Sequence, residues 1–169
     1  PYAGAMADLM RRYAGVIETS LAGHLHHDAY RLLAGKDGTA AGFDKVVPAI
    51  SPIFGQNPGF QIFTYDLETG VPMDFETWYL ADLDSTSLAS PGEWRREYDF
   101  TNAYEQPDLS AASVAAMWTD ARDPGAVRQQ YAHFYNVSHG ALSEAELPAY
   151  LCAMRHSGVR DFTACYCGE

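Results

Sequence analysis

Apolar and polar positions follow two different periods along the chain, and the change of period divides it. Met6, Leu9, Met10 and Tyr13 stand at i, i+3, i+4 and i+7, one face of an α-helix over residues 2–15. Arg11 and Arg12 near its end suit the negative pole of the helix dipole, and Gly15 supplies a stop. Residues 16–23 then read as a short strand carrying Val16, Ile17, Leu21 and Ala22. A second strand is expected over 29–34, leading into the turn Gly35-Lys36-Asp37-Gly38. A third is expected over 44–50, with Val46, Val47 and Ile50, cut short by Pro48. Residues 51–59 hold two Pro, two Gly and Asn57, a loop composition. Residues 60–65 predict a strand buried on both faces, 66–70 a hairpin turn, and 73–80 the returning strand.

Beyond Leu83 the character changes. Residues 84–92 are a polar connector, and the aromatic-rich stretch 93–104 is expected to be helical. Ser110 is a natural N-cap for a helix over 111–121. Asp123 can cap a second helix, with Pro124 at its first position, running to about Tyr135. Ser143 and Glu146 have capping-box spacing and start a third helix ending near His156. The expected organisation is an α/β part over 1–83 and a helical C-terminal subdomain over 84–169.

Composition narrows the function classes. The 22 acidic against 11 basic residues give a formal charge of -11, which disfavours nucleic acid as a partner. No apolar run approaches the roughly 18–20 residues that span a bilayer. Aromatic residues make up 13% of the chain. Those in 94–104, with Trp118 and Tyr131 to Tyr135, are expected to fasten the helical part to the core, the alternative being contact with lipid or an apolar substrate. All three cysteines, Cys152, Cys165 and Cys167, lie near the C-terminus and read as a local clasp in an oxidising compartment. Spacing alone leaves their pairing open.

The chemistry concentrates in Gly23-His24-Leu25-His26. Neutral imidazole ligates zinc and similar metals. Two His at i and i+2 after a strand face one side if the chain stays extended, where they reach one metal or two adjacent ones. Gly23 is expected to let the backbone turn tightly. Asp28 is placed to accept the ring N–H of a ligand His from the second layer of the site. His133, His139 and His156 are scattered and are not expected to be ligands.

Gly23-His24-Leu25-His26 after an apolar strand resembles the closing Gly-His-x-His motif of the calcineurin-like metallophosphoesterases. Its surroundings resemble their acid sphingomyelinase-like branch. The matching runs are Arg12-Tyr13-Ala14-Gly15-Val16-Ile17, then Ala22 to Asp28, and the stretch from Pro48 to Phe60 ending in Asn57-Pro58-Gly59-Phe60. The hairpin, the aromatic segment after it, and Cys152 with Cys165 fit the same branch.

The resemblance implies the C-terminal half of a four-layer metallophosphoesterase β-sandwich flanked by helices, followed by a helical C-terminal tail. It implies a phosphodiester hydrolase with two divalent metals, zinc in this branch, His24 binding one and His26 the other. It implies a disulfide between Cys152 and Cys165, a substrate cleft including Ser51, Phe54 and Asn57, and a secreted or periplasmic location. The substrate would be a phosphodiester small molecule or lipid headgroup. The family's other motifs, which carry the catalytic residues and remaining ligands, are absent before His24. The expectation is therefore a C-terminal portion, inactive without an N-terminal part of the same enzyme. The alternative is a non-catalytic binding or stabilising module with a vestigial His pair.

Overall fold

The computed structural model describes residues 3–17, 19–35 and 38–168. The helix α1 (Ala3–Arg12) turns its Ala7 and Met10 inward, and Gly15 ends the following turn with φ +91°. Three strands follow: β1 (Thr19–Ala22), β2 (Ala29–Ala34) and β3 (Ala40–Val46). They form one sheet in the order β1-β3-β2, with β1 parallel and β2 antiparallel to β3. The expected first strand is thus shorter than 16–23. The expected turn at 35–38 lies partly outside the described residues. The third strand sits at 40–46, not 44–50. Its first half, Ala40-Ala41-Gly42, has low strand propensity, which hides it in the sequence. After β3 the Ala49 N–H bonds the His26 carbonyl (3.3 Å) instead of a ladder partner.

The second sheet has the order β4-β5-β6 and is antiparallel throughout: β4 (Gly59–Tyr65), β5 (Pro72–Leu80) and β6 (Trp94–Asp99). The hairpin β4–β5 stands where alternation places it. The Asp66 carboxylate at its turn accepts the N–H groups of Glu68 and Thr69. However, β4 is not buried on both faces: Ile62 and Tyr65 are exposed. The helix expected over 93–104 is instead β6 followed by the single helical turn α2 (Phe100–Ala103). Thr77 pairs with Tyr98 and Trp78 with Arg96, so Glu97 is the extra residue of a β-bulge. That irregularity breaks the period-2 pattern that would have announced the strand.

The remaining helices are α3 (Ala111–Ala121), α4 (Ala126–Phe134), α5 (Leu147–Arg155) and α6 (Val159–Cys167). The Ser110 side chain caps α3 as expected, accepting from the Ser113 N–H. Asp123 does not cap α4. Its N–H bonds the Asp120 carbonyl (3.3 Å), so it still belongs to the closing turn of α3, and Gly125 precedes α4. Glu146 reaches back to the Ser143 N–H (2.9 Å), half of a capping box, ahead of α5. The helix α6 has no counterpart in the sequence reading. Cys152 and Cys165 form a disulfide joining it to α5, and Cys167 is free and exposed.

One cluster of buried side chains runs from Ala29 and Tyr30 through Phe75, Tyr98 and Phe100 to Met117, Tyr131 and Met154. The aromatic residues do fasten the helices to the sheets: Tyr98 stacks on Phe134 with centroids 3.9 Å apart, and Tyr104 meets both. β5 and β6 pair across residues 83 and 84, so the second sheet spans the division expected there. The architecture is α/β, as expected: two small sheets followed by a helical C-terminal region.

Candidate functional site

The segment 23–28 crosses from the C-terminal end of β1 to the start of β2, over the end of β3. Val47 donates to the Ala22 carbonyl (2.8 Å) and extends the parallel pairing to the brink of Gly23. The chain does not stay extended beyond it. His24 and His26 both have left-handed backbones, φ +81° and +65°. For residues with a Cβ such conformations persist only where the surroundings impose them, and they gather at functional sites. The expected turn at Gly23 is therefore made by the two His. Gly23 itself is not at positive φ, and a Cβ there would meet nothing within 4 Å.

The ring of His26 is held on two sides. Its Nδ1 lies 2.8 Å from the Ser51 carbonyl oxygen. A carbonyl only accepts, so Nδ1 carries the hydrogen and Nε2 keeps its lone pair. The Phe54 ring meets His26 edge-on at 5.1 Å. His27 lies between Phe54 and Tyr135, stacked on the latter at 4.8 Å. Burial lowers the His27 pKa first of all, the nearby His26 adding to the effect. His24 is exposed.

The other expected site residues are placed as follows. Ser51 contributes its carbonyl, and Phe54 stays 57% exposed while shielding the two imidazoles. The Asn57 amide donates to the Val137 carbonyl (2.9 Å), which ties the loop to the segment after α4. Asp28 does not take an imidazole N–H. Its Oδ1 pairs with Lys45, and its Oδ2 accepts from Gln61 (2.7 Å), Tyr98 (3.0 Å) and Thr77 (3.3 Å). The carboxylate starts β2 from inside the core, where Lys45 also lies over the Tyr30 and Phe75 rings. Its backbone N–H donates to the Tyr135 carbonyl (3.0 Å), fixing the far end of the His segment.

Several residues here were not visible to sequence reasoning. Lys45 is wholly buried, and desolvation lowers its pKa against the opposing pull of Asp28. Glu97, turned inward by the bulge, accepts from Ser138 (2.7 Å) and leaves its Oε2 buried without a partner. Burial and the charge of Asp28 push its carboxyl up to about 8, against Ser138 and Lys45. Gln56, also buried, donates to the Ser51 carbonyl (2.6 Å). Among the described residues no group of three or more His, Cys, Asp or Glu converges on a point. The two imidazoles therefore do not by themselves make up a metal site among the described residues. Their chemistry would suit one, since Nε2 of His26 is free and His24 is open to approach.

The chain resembles known proteins along most of its length. Residues 43–166 match the family described as the acid sphingomyelin phosphodiesterase C-terminal region. The cyclic GMP-AMP phosphodiesterase SMPDL3A of Mus musculus is 31% identical over 152 residues, 86% of this chain and 34% of that protein. The acid sphingomyelinase-like phosphodiesterase 3b of Homo sapiens is 27% identical over 168 residues, covering 93% of this chain and 37% of its own length. Sphingomyelin phosphodiesterase B of Dictyostelium discoideum is 25% identical, with 95% and 27% covered. The chain spans about a third of the length of these curated relatives.

Proposed function

The chain belongs to the family of the acid sphingomyelin phosphodiesterase C-terminal region, and from that premise we propose that it is the C-terminal portion of a metal-dependent phosphodiester hydrolase. The observation that carries the reading is the His26 imidazole, pinned by the Ser51 carbonyl in the tautomer that leaves Nε2 free, beside the exposed His24. His24 and His26 would each hold one of two divalent ions, zinc being suited to imidazole donors. When bound, such ions supply Lewis acidity to a phosphoryl oxygen and acidify a water.

The chain's own residues do the rest of the work on this side of the site. The fixed tautomer presents a lone pair without a competing proton. Phe54 covers one flank of the His26 ring and also meets the neighbouring His27. The remaining ligands and an acid to assist the leaving group would come from a part of the enzyme that this chain does not carry. Candidate substrates are phosphodiesters of the kinds named in the relatives, a cyclic dinucleotide or a sphingomyelin headgroup. The disulfide suits a secreted or periplasmic setting.

The test is hydrolysis of bis-p-nitrophenyl phosphate, with metal analysis, by the full-length protein that carries this chain. His24→Ala and His26→Ala should each lower kcat/KM by at least ~100-fold, more than the usual loss of an outer-layer partner, and release metal. The chain alone should show little turnover. Full turnover by both variants would leave only the stabilising-module alternative.

A further inference from the structure

The loop beneath the His segment contains a polar side chain with no evident structural use. Gln56 is 1% exposed. Its Nε2 donates to the Ser51 carbonyl at 2.6 Å, and its Oε1 is buried with no partner. The amide cannot be flipped, because Oε1 would then face the carbonyl oxygen acceptor to acceptor. The Ser51 carbonyl has two lone pairs, and both are occupied: one by Gln56, the other by His26 Nδ1 at 2.8 Å. Burying an amide that satisfies only one of its two ends is unfavourable. An apolar side chain of the same size would fill the space without that cost. What it could not do is fix the direction of the Ser51 carbonyl.

We propose that Gln56 is a positioning residue for His26, holding the Ser51 carbonyl so that the imidazole keeps its hydrogen on Nδ1 and offers Nε2. The rest of the loop sets only the path of the backbone. Gly55 at φ +84° turns the chain, its N–H closing on the Pro52 carbonyl (3.1 Å). The Gly59 N–H on the Ala49 carbonyl (3.0 Å) and the Asn57 amide on Val137 anchor the far side. None of these bonds reaches the Ser51 carbonyl. The Pro52 ring fixes φ on one side of that peptide, and apart from His26 itself Gln56 is the side chain that sets the carbonyl's tilt. The exposed Phe54 limits the ring's position but not its tautomer. The importance of that tautomer rests on reading His26 as a metal ligand.

Two readouts separate the proposal from that reading. In the metal-free full-length protein, ¹⁵N-labelled at histidine, the wild-type His26 ring should show the Nδ1–H form alone. Gln56→Met should show both tautomers, while the melting temperature stays within a few degrees. Titration with zinc chloride should then give a ~10–100-fold weaker affinity in Gln56→Met, the usual cost of losing an outer-layer partner. Should Gln56→Met not fold, the wild type still decides: the Gln56 side-chain amide protons must exchange slowly with solvent. Retention of the Nδ1–H form in Gln56→Met, or fast exchange of that amide, overturns the proposal. Absence of zinc binding in the wild type, with the tautomer still dependent on Gln56, would instead overturn the metal reading and leave the positioning intact.

Discussion

Two titratable side chains, the buried Lys45 and the half-buried Glu97 with its buried Oε2, give the core a dependence on partners and on pH. Lys45 has no exposed surface and faces Asp28. Replacing it by Met leaves the carboxylate uncompensated except for Gln61, Thr77 and Tyr98. Removing one member of a buried pair costs ~3–5 kcal/mol, and those three donors place this case at the low end. Asp28→Asn added to Lys45→Met should recover much of the loss, as read from urea unfolding midpoints. Glu97 behaves differently, because its folded pKa is raised from 4.5 to about 8. Between those values the folded protein keeps a proton that the unfolded chain has released. Stability is therefore greatest below the unfolded value and falls as pH rises to the folded one, by at most ~1.4 kcal/mol per pH unit. Glu97→Gln has no proton to lose and should flatten the profile between pH 5 and 8. A midpoint that varies with pH as steeply in the variant as in wild type would mean that Glu97 is not the group responsible.

At the scale of elements, α6 depends on its disulfide. It has no buried residue, whereas α5 buries Leu147, Leu151 and Met154. Reduction should therefore release α6 and leave α5 in place. Hydrogen exchange should rise sharply across 159–167 and barely change across 147–155; equal loss of protection in both would show that the bond supports the core as well. The same contrast explains what the sequence announces. The β4–β5 hairpin is legible because alternating residues flank an Asp-initiated turn, and α3 because Ser110 caps it in the usual way. The strand β6 is not legible, because the bulge at Glu97 interrupts its alternation. The helix α6 is not, because it has no core-facing stripe. At the site, His24 and His26 stand out by residue type and context. Gln56 and Lys45 do not, since their roles exist only once the loop and β3 bring them against Ser51 and Asp28. Asp28 illustrates the reverse error: its nearness in sequence to His26 suggests a bond that the inward direction of β2 prevents.

For the whole molecule, the uneven distribution of apolar surface argues for a partner. Met6 and Leu9 on α1, Tyr13, Val16 and Ile17 in the connection that follows it, and Leu21 on β1 are all more than a third exposed. They lead in sequence towards the His segment, and among the described residues β1 lies at the edge of its sheet with one side unpaired. An apolar face beside an open strand edge is an association site in a soluble protein. The occupant we propose is the N-terminal part of the same enzyme, which would bring the missing ligands up to His24 and His26. Mixed as separate pieces, the two parts should co-elute as a 1:1 complex. The chain alone should bind a hydrophobic dye and self-associate. Leu9→Glu with Leu21→Lys should weaken the complex by ~10-fold or more, since each removes about half an exposed leucine's contribution to the interface. The same pair should leave the melting temperature of the isolated chain within a few degrees, because neither residue is in its core. Separate elution of the two parts, with no dye bound by the chain, would mean that this face is not where the rest of the enzyme sits.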